Sequence, residues 1–272
     1  MLVFPKAKIN LGLNIISRRD DGFHDIETLF YPVNLFDALE VVPAYDDPGK
    51  DVLTLTGNQV AGETDQNIVL KAAERIRDEF GIPKLKIHLH KNIPVGAGLG
   101  GGSSDGAYML KTLDRLFGLG LSCDDLKSIA AGLGSDSAFF IEGLPAFASG
   151  RGEILKPSAE FLKGYYGVLL NPGIDVKTRD AYAGCIPSVP ADSLEVLLRN
   201  PVAEWKDYVV NDFEKTIFPL YPQIREIKET LYNCGALYSS MSGSGSTVYG
   251  IFDKLPVLPD SIKKCVIFRG LF

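Results

Sequence analysis

At 272 residues the chain is long enough to bury one large or two modest hydrophobic cores without disulfide or metal staples. Apolar residues make up 46% and charged residues 23%, ordinary proportions that set disordered, fibrous and membrane classes aside. Lys and Arg total 28 against 34 Asp and Glu, a formal charge of −6, which argues against nucleic acid as a partner, so an anionic ligand needs a local device. No run of about 18 apolar residues occurs, and Met1-Leu2-Val3-Phe4-Pro5-Lys6 meets charge at once, so neither a membrane span nor export is expected and the location reads as cytoplasmic. Cys123, Cys185, Cys234 and Cys265 have no CxxC or Cys/His spacing and are expected as small buried hydrophobes, with no metal site and no disulfide framework.

The segment from Ala7 to Ile15 alternates strictly, apolar at odd positions with Lys8, Asn10, Gly12 and Asn14 between, and predicts a half-buried strand. A turn at Arg18 to Gly22 precedes apolar stretches at Ile26 to Val33 and Leu39 to Val42, expected as successive antiparallel strands, with Asp46-Asp47-Pro48-Gly49 as a loop. Asn67 is placed to cap a helix carrying Val69, Leu70, Ala73 and Ile76, which ends at Phe80 with Gly81 beyond it. Leu85 to His90 alternates again. Ala107, Leu110, Leu113 and Phe117 fall at helical spacing before Gly118, and Ser122 with Asp125 forms a capping-box pattern ahead of Leu126, Ile129 and Ala130. The Gly/Pro-rich stretch from Gly143 to Pro157 reads as a domain junction, dividing the chain into 1–150 and 151–272. Strands near Val168 and Val248 and helices near Trp205 and Ile224 complete the second part.

Between a predicted strand and a predicted helix lies Pro94-Val95-Gly96-Ala97-Gly98-Leu99-Gly100-Gly101-Gly102-Ser103-Ser104-Asp105, with five glycines in seven positions. Glycine permits positive φ and close approach of backbone to ligand, and the first N–H groups of the following helix lack internal partners, so phosphate is the natural occupant. Gly96, Gly98 and Gly101 formally satisfy GxGxxG, yet a dinucleotide site expects an acid ending a second strand about 20 residues on. Gly118-Leu119-Gly120-Leu121-Ser122 stands there instead, and GxxxxGK[ST] is absent.

This run resembles the phosphate loop of the GHMP small-molecule kinases. The resemblance extends in order along the chain: Ala7-Lys8-Ile9-Asn10-Leu11, Gly22-Phe23-His24, Glu27-Thr28-Leu29, Gly134-Ser135-Asp136, Gly150-Arg151-Gly152-Glu153, Asn211-Asp212-Phe213-Glu214 and Ser242-Gly243-Ser244-Gly245-Ser246. It implies an α+β fold, with a ribosomal-protein-S5-like N-terminal domain and a ferredoxin-like C-terminal domain. It also implies ATP as phosphoryl donor, Mg2+ held through phosphates and water, and a small-molecule substrate carrying cytidine diphosphate. The GLGGGSS form points within the family to phosphorylation of the 2-hydroxyl of 4-diphosphocytidyl-2-C-methyl-D-erythritol, in non-mevalonate isoprenoid biosynthesis. A homoserine or mevalonate kinase of the family, or a catalytically silent nucleotide-binding protein, are the alternatives. Oligomeric state is not indicated.

Alternation alone makes Lys8 and Asn10 a solvated strand face, and Asp136 a turn residue. The resemblance implies instead that Lys8 and Asp136 are the catalytic pair, that Pro94 to Ser104 bind ATP, and that Asn10, Phe23, His24 and Tyr182 bind substrate. The family usually has tyrosine where Phe23 stands and Val-Pro where Ser137-Ala138 follow Asp136. His88 and His90, two apart with Lys84 and Lys86 on their face, read as solvent-facing rather than as metal ligands. Gly243-Ser244-Gly245 is open between a plain hairpin turn and a loop that closes on the ligand.

Overall fold

The computed structural model describes residues 1–45, 49–59 and 64–272. The chain runs through β1 (Leu2–Val3), β2 (Lys6–Arg18), β3 (His24–Phe36), β4 (Ala38–Pro43), β5 (Val52–Gly57), α1 (Ile68–Phe80), β6 (Leu85–Lys91), α2 (Gly101–Phe117), α3 (Cys123–Ala131) and α4 (Phe139–Glu142). It continues through β7 (Ala146–Ser149), β8 (Ile154–Pro157), β9 (Tyr166–Leu170), α5 (Thr178–Ala183), α6 (Leu194–Leu197), α7 (Glu214–Leu220), α8 (Pro222–Asn233), β10 (Tyr238–Met241), β11 (Val248–Phe252), α9 (Asp260–Lys263) and β12 (Val266–Leu271). These mixed elements make an α+β fold. Two compact units emerge: residues 1–7, 35–95 and 100–143 form the first, and residues 8–34, 96–99 and 144–272 the second.

The first unit holds one four-stranded sheet in the order β1-β4-β6-β5, in which β6 pairs antiparallel with β4 and parallel with β5. Along β6 burial alternates residue by residue, Leu85, Ile87, Leu89 and Lys91 facing inward. The helices follow their sequence signals. Asn67 accepts the Val69 N–H and caps α1, which Gly81 ends in the left-handed conformation with φ +65°. Ser122 and Asp125 form a complete capping box at α3.

The second unit holds two sheets, β2-β3-β7-β8 and β10-β11-β9-β12. A core of Val168, Leu170, Val176, Phe213, Ile217, Ile224, Leu231, Val248 and Phe252 fills it together with Leu13 and Ile15 from β2.

Several expectations need correction. Residues 7–15 of β2 are buried on both faces rather than one, because Ser242, Thr28 and Gly98 hydrogen-bond with the Lys8 and Asn10 side of the strand. The stretch at Leu39 to Val42 does not pair with the strand before it. Asp37 intervenes, its buried carboxylate accepting the Asn92 and Ile93 N–H groups, and β4 joins β1 and β6 instead. A change of unit does fall inside the expected junction, between Gly143 and Leu144, and the rest of that stretch forms the β7–β8 hairpin, whose first strand pairs with β3. The helix expected near Trp205 is present, as a 3-10 helix over Val202–Asp207. None of the four cysteines is fully buried; Cys123 is exposed because it opens α3 just after its cap. Asp46, Asp47 and Pro48 of the expected loop lie outside the described residues.

Candidate active site

Lys8 is only 3% exposed, and an ammonium taken out of water must find oxygen partners. In the second unit Lys8 Nζ donates to Asn10 Oδ1 at 2.6 Å and to the Gly98 carbonyl at 3.2 Å. It also lies 4.9 Å from the Phe30 ring centroid. Ser242 Oγ donates to the same Gly98 carbonyl at 2.8 Å and accepts the Asn10 N–H at 3.2 Å. Asn10 Nδ2 donates to Thr28 Oγ1 at 3.0 Å, and the Thr28 hydroxyl donates to Gly12 O at 2.6 Å. The catalytic candidate Lys8 is thus fastened to the backbone of the glycine run. Leu99 O accepts the Lys8 N–H at 3.0 Å, and Ala97 O the Thr247 N–H at 3.3 Å, so residues 97 to 99 are held throughout.

Gly98 is required here by space. A Cβ on it would stand 1.9 Å from Ser242 O, and its φ is +77°. The Gly243-Ser244-Gly245 stretch is the hairpin turn between β10 and β11, closed by Gly245 N–H to Ser242 O at 3.0 Å. It also abuts the glycine run, since a Cβ on Gly243 would lie 3.3 Å from Gly98 Cα. Asn211 Nδ2 fixes this turn by donating to Met241 O at 2.7 Å and Gly243 O at 2.9 Å.

In the first unit the run continues differently. Gly101 and Gly102, expected in the loop, form the first turn of α2, with Gly100 as N-cap at φ +68° and without a side-chain cap. The first amides of a 17-residue helix therefore offer an anion site with no competing side chain. A Cβ on Gly102 would meet nothing within 4 Å, so no internal contact demands glycine there. Among the described residues, the buried Ser104 Oγ and Ser137 Oγ have no hydrogen-bond partner. A Cβ on Gly134 would stand 3.1 Å from Ser137 Oγ and 3.3 Å from Ser103 Oγ, which puts both hydroxyls beside the Gly134-Ser135-Asp136 turn. Asp136 is half-buried in that turn. Pro94 is half-buried and Val95 exposed ahead of the glycines.

The aromatic candidates separate. In the second unit His24 stacks on Tyr182 with ring centroids 4.7 Å apart and planes 20° from parallel, and Tyr182 meets Phe213 edge-on at 4.8 Å. Burial, and then the charge of Arg18, lower the His24 pKa and favour its neutral ring. Phe23 is 51% exposed and faces the Arg151 guanidinium at 5.0 Å. His88 Nε2 and His90 Nδ1 each lie 2.9 Å from Thr56 Oγ1 on an exposed face. Among the described residues no group of three His, Cys, Asp or Glu could hold a metal ion, and no helix is long and apolar enough to cross a membrane.

Thr28, Ser242 and Asn211 escaped a role in the sequence reading. Each stood inside a quoted motif, and only their burial in the fold turns the three polar residues into a network.

The model of the GHMP kinases N-terminal domain matches residues 67–144, and that of the GHMP kinases C-terminal domain residues 193–258. The 4-diphosphocytidyl-2-C-methyl-D-erythritol kinase of Bacteroides fragilis is 51% identical, over 93% of this chain and 92% of its own. The protein of that name from Parabacteroides distasonis is 46% identical over 100% of this chain and 97% of its own. A crystal structure of 4-(cytidine 5'-diphospho)-2C-methyl-D-erythritol kinase superimposes with a TM-score of 0.77 at 34% identity, covering 92% of this chain and 90% of that one. A homoserine kinase from Cytophaga hutchinsonii shares the fold at 20% identity, with a TM-score of 0.62 and coverage of 92% and 86%.

Proposed function

This chain belongs to the GHMP kinases, and within them to the 4-diphosphocytidyl-2-C-methyl-D-erythritol kinase family, and from that premise we propose that it transfers the γ-phosphoryl group of ATP to the 2-hydroxyl of 4-diphosphocytidyl-2-C-methyl-D-erythritol. The observation that carries the reading is the buried Lys8 ammonium held on the Gly98 carbonyl at 3.2 Å, a cation fixed to the backbone of a glycine run. Phosphoryl transfer demands chiefly positioning and electrostatic stabilisation, because the transferring group spreads negative charge over its oxygens. Lys8, held by amide oxygens, supplies positive charge to that group. The amides at the start of α2 and the run from Pro94 to Ser104 receive the ATP phosphates.

A sugar alcohol is a poor nucleophile at neutral pH and must lose its proton as phosphorus is attacked. Asp136 accepts it. Asn10, fixed through both its amide and its backbone, orients the substrate. The cytidine ring stacks with aromatic residues of the Phe23, His24 and Tyr182 set, and a neutral His24 ring offers both a donor and an acceptor to the base edge. The unpartnered Ser104 Oγ fits a phosphate oxygen or an ion-bound water. Mg2+ would enter with the nucleotide, held by phosphates and water with Ser104 and Ser103 as neighbouring hydroxyls, and when bound it neutralises phosphate charge. The compartment is the cytoplasm.

A coupled assay for ADP release, run with the cytidine substrate, homoserine and mevalonate in parallel, tests the reading. Turnover with the cytidine substrate alone is expected. Turnover with homoserine or mevalonate in its place would move the chain to another branch of the family, and none with any of the three would refute the kinase reading.

A further inference from the structure

Beneath the glycine run, entirely within the first unit, lies a buried ion triad that the proposed chemistry does not use. Lys91 Nζ donates to Asp37 Oδ2 in a short contact and to Asp105 Oδ2 at 2.6 Å, and all three side chains are at most 3% exposed. Each member is tied to the run. Asp37 Oδ1 accepts the N–H groups of Asn92 at 2.6 Å and Ile93 at 2.8 Å, the two residues that lead into Pro94. Asp105 belongs to the start of α2, just past Ser104. A Cβ on Gly101 would stand 3.3 Å from Lys91 Nζ and 2.9 Å from Ile93 Cγ2, so the first turn of α2 rests directly on the triad.

We propose that Asp37, Lys91 and Asp105 are positioning residues for ATP: they fix the start and the end of the phosphate-binding run in one geometry, so that its amides are already aimed when the nucleotide arrives. A buried ion triad is a poor choice for stability alone, since well-packed neutral groups commonly serve as well or better. Its advantage is directional. One ammonium joins a carboxylate that binds the backbone at the start of the run to a carboxylate on the helix at its end, and hydrogen-bonded charges tolerate little displacement. An apolar contact would let α2 slide against Ile93, and amides that must be re-ordered on binding lose affinity for the nucleotide. Burial raises the Asp105 pKa, with Lys91 opposing the rise and Asp37 adding to it, which accords with a triad that shares its charge tightly.

The inference rests on the kinase reading, and the test separates the two. Steady-state KM for ATP, KM for the alcohol substrate and kcat are measured for the wild type, Lys91→Met, Asp105→Ala and Asp105→Asn, with calorimetric ATP affinity and Tm on the same preparations. Lys91→Met and Asp105→Ala should raise KM for ATP by about tenfold or more while KM for the alcohol and kcat at saturating ATP change less than about threefold. Asp105→Asn, which keeps an acceptor for Lys91, should recover most of that loss. Should Lys91→Met fail to fold, the triple variant Asp37→Asn, Lys91→Met and Asp105→Asn removes all three charges together and should show the same selective loss of ATP affinity. Folded variants with native ATP affinity, or equal losses for both substrates, would overturn the positioning role. A wild type that turns over none of the substrates would refute the kinase reading, and the calorimetric comparison would then decide the triad by itself.

Discussion

Lys8 and Lys91 are buried alike, each 3% exposed, yet they are fastened to different parts of the molecule. Lys91 lies between two carboxylates, Asp37 and Asp105, whose charges answer its own. Lys8 Nζ donates to Asn10 Oδ1 and to the Gly98 carbonyl, so its ammonium is fixed on the glycine run itself. The difference teaches how one residue type serves two purposes. A lysine that ties two structural carboxylates together is a joint, while a lysine fixed on the glycine run beside the Asn10 amide is placed to answer charge that develops in phosphoryl transfer.

The largest effect that sharpens this contrast concerns the proton rather than the phosphate. Asp136→Asn keeps the shape of the side chain but removes its ability to take the hydroxyl proton, and kcat should fall by about 10²- to 10⁴-fold with both substrates still bound. Rapid-quench turnover beside binding calorimetry decides it; near-native kcat in a folded protein would leave solvent or the phosphate as acceptor.

Next comes Gly98→Ala, on the Lys8 side. With a Cβ 1.9 Å from the Ser242 carbonyl, something must move, and a loss of at least about 1–3 kcal/mol in urea unfolding is expected together with loss of activity. Unchanged stability would mean that the run does not press on Ser242.

On the Lys91 side the sensitive variable is pH. Burial raises the Asp105 carboxyl above its ordinary value, with Lys91 opposing the rise. The folded protein therefore binds more protons than the unfolded chain between the ordinary and the raised value, so this group's contribution to stability is complete below the ordinary carboxyl range and is lost as pH rises through the raised one. Asp105→Asn should flatten the fall of Tm between those limits, and an identical pH profile in both proteins would show that Asp105 titrates normally.

The smallest effect has opposite signs in two assays. Gly102→Ala fills open space on a helix, so it should stabilise by up to about 1 kcal/mol while weakening ATP binding if phosphate approaches there as proposed. A gain in stability without loss of nucleotide affinity would move the phosphates away from Gly102.

How much of this was legible in the sequence follows from the range of the forces involved. Asn67, Gly81, Gly118 and the Ser122–Asp125 box act within a turn of their own helices, and the structure has them where spacing put them. The double-sided burial of β2 was not legible, because Ser242 arrives from more than two hundred residues away. Lys91 left a signal that went unread: Leu85, Ile87 and Leu89 define the inward face of β6, and Lys91 is the next residue on it. A lysine in register with a core face requires a buried acid, and the fold supplies Asp37 and Asp105. The candidate residues themselves were found by resemblance of motifs, since no local pattern separates Asp136 from any turn aspartate.

The most direct test of the contrast between the two lysines is kcat for Lys8→Met, measured at saturating ATP and cytidine substrate with Tm recorded on the same sample. Methionine keeps the length of the side chain and removes the charge. A drop of about 10²- to 10⁴-fold, with both KM values and Tm close to wild type, is the expected result for a cation that acts on the transition state. A folded Lys8→Met enzyme with near-native kcat would contradict the account, leaving Lys8 a buried joint like Lys91.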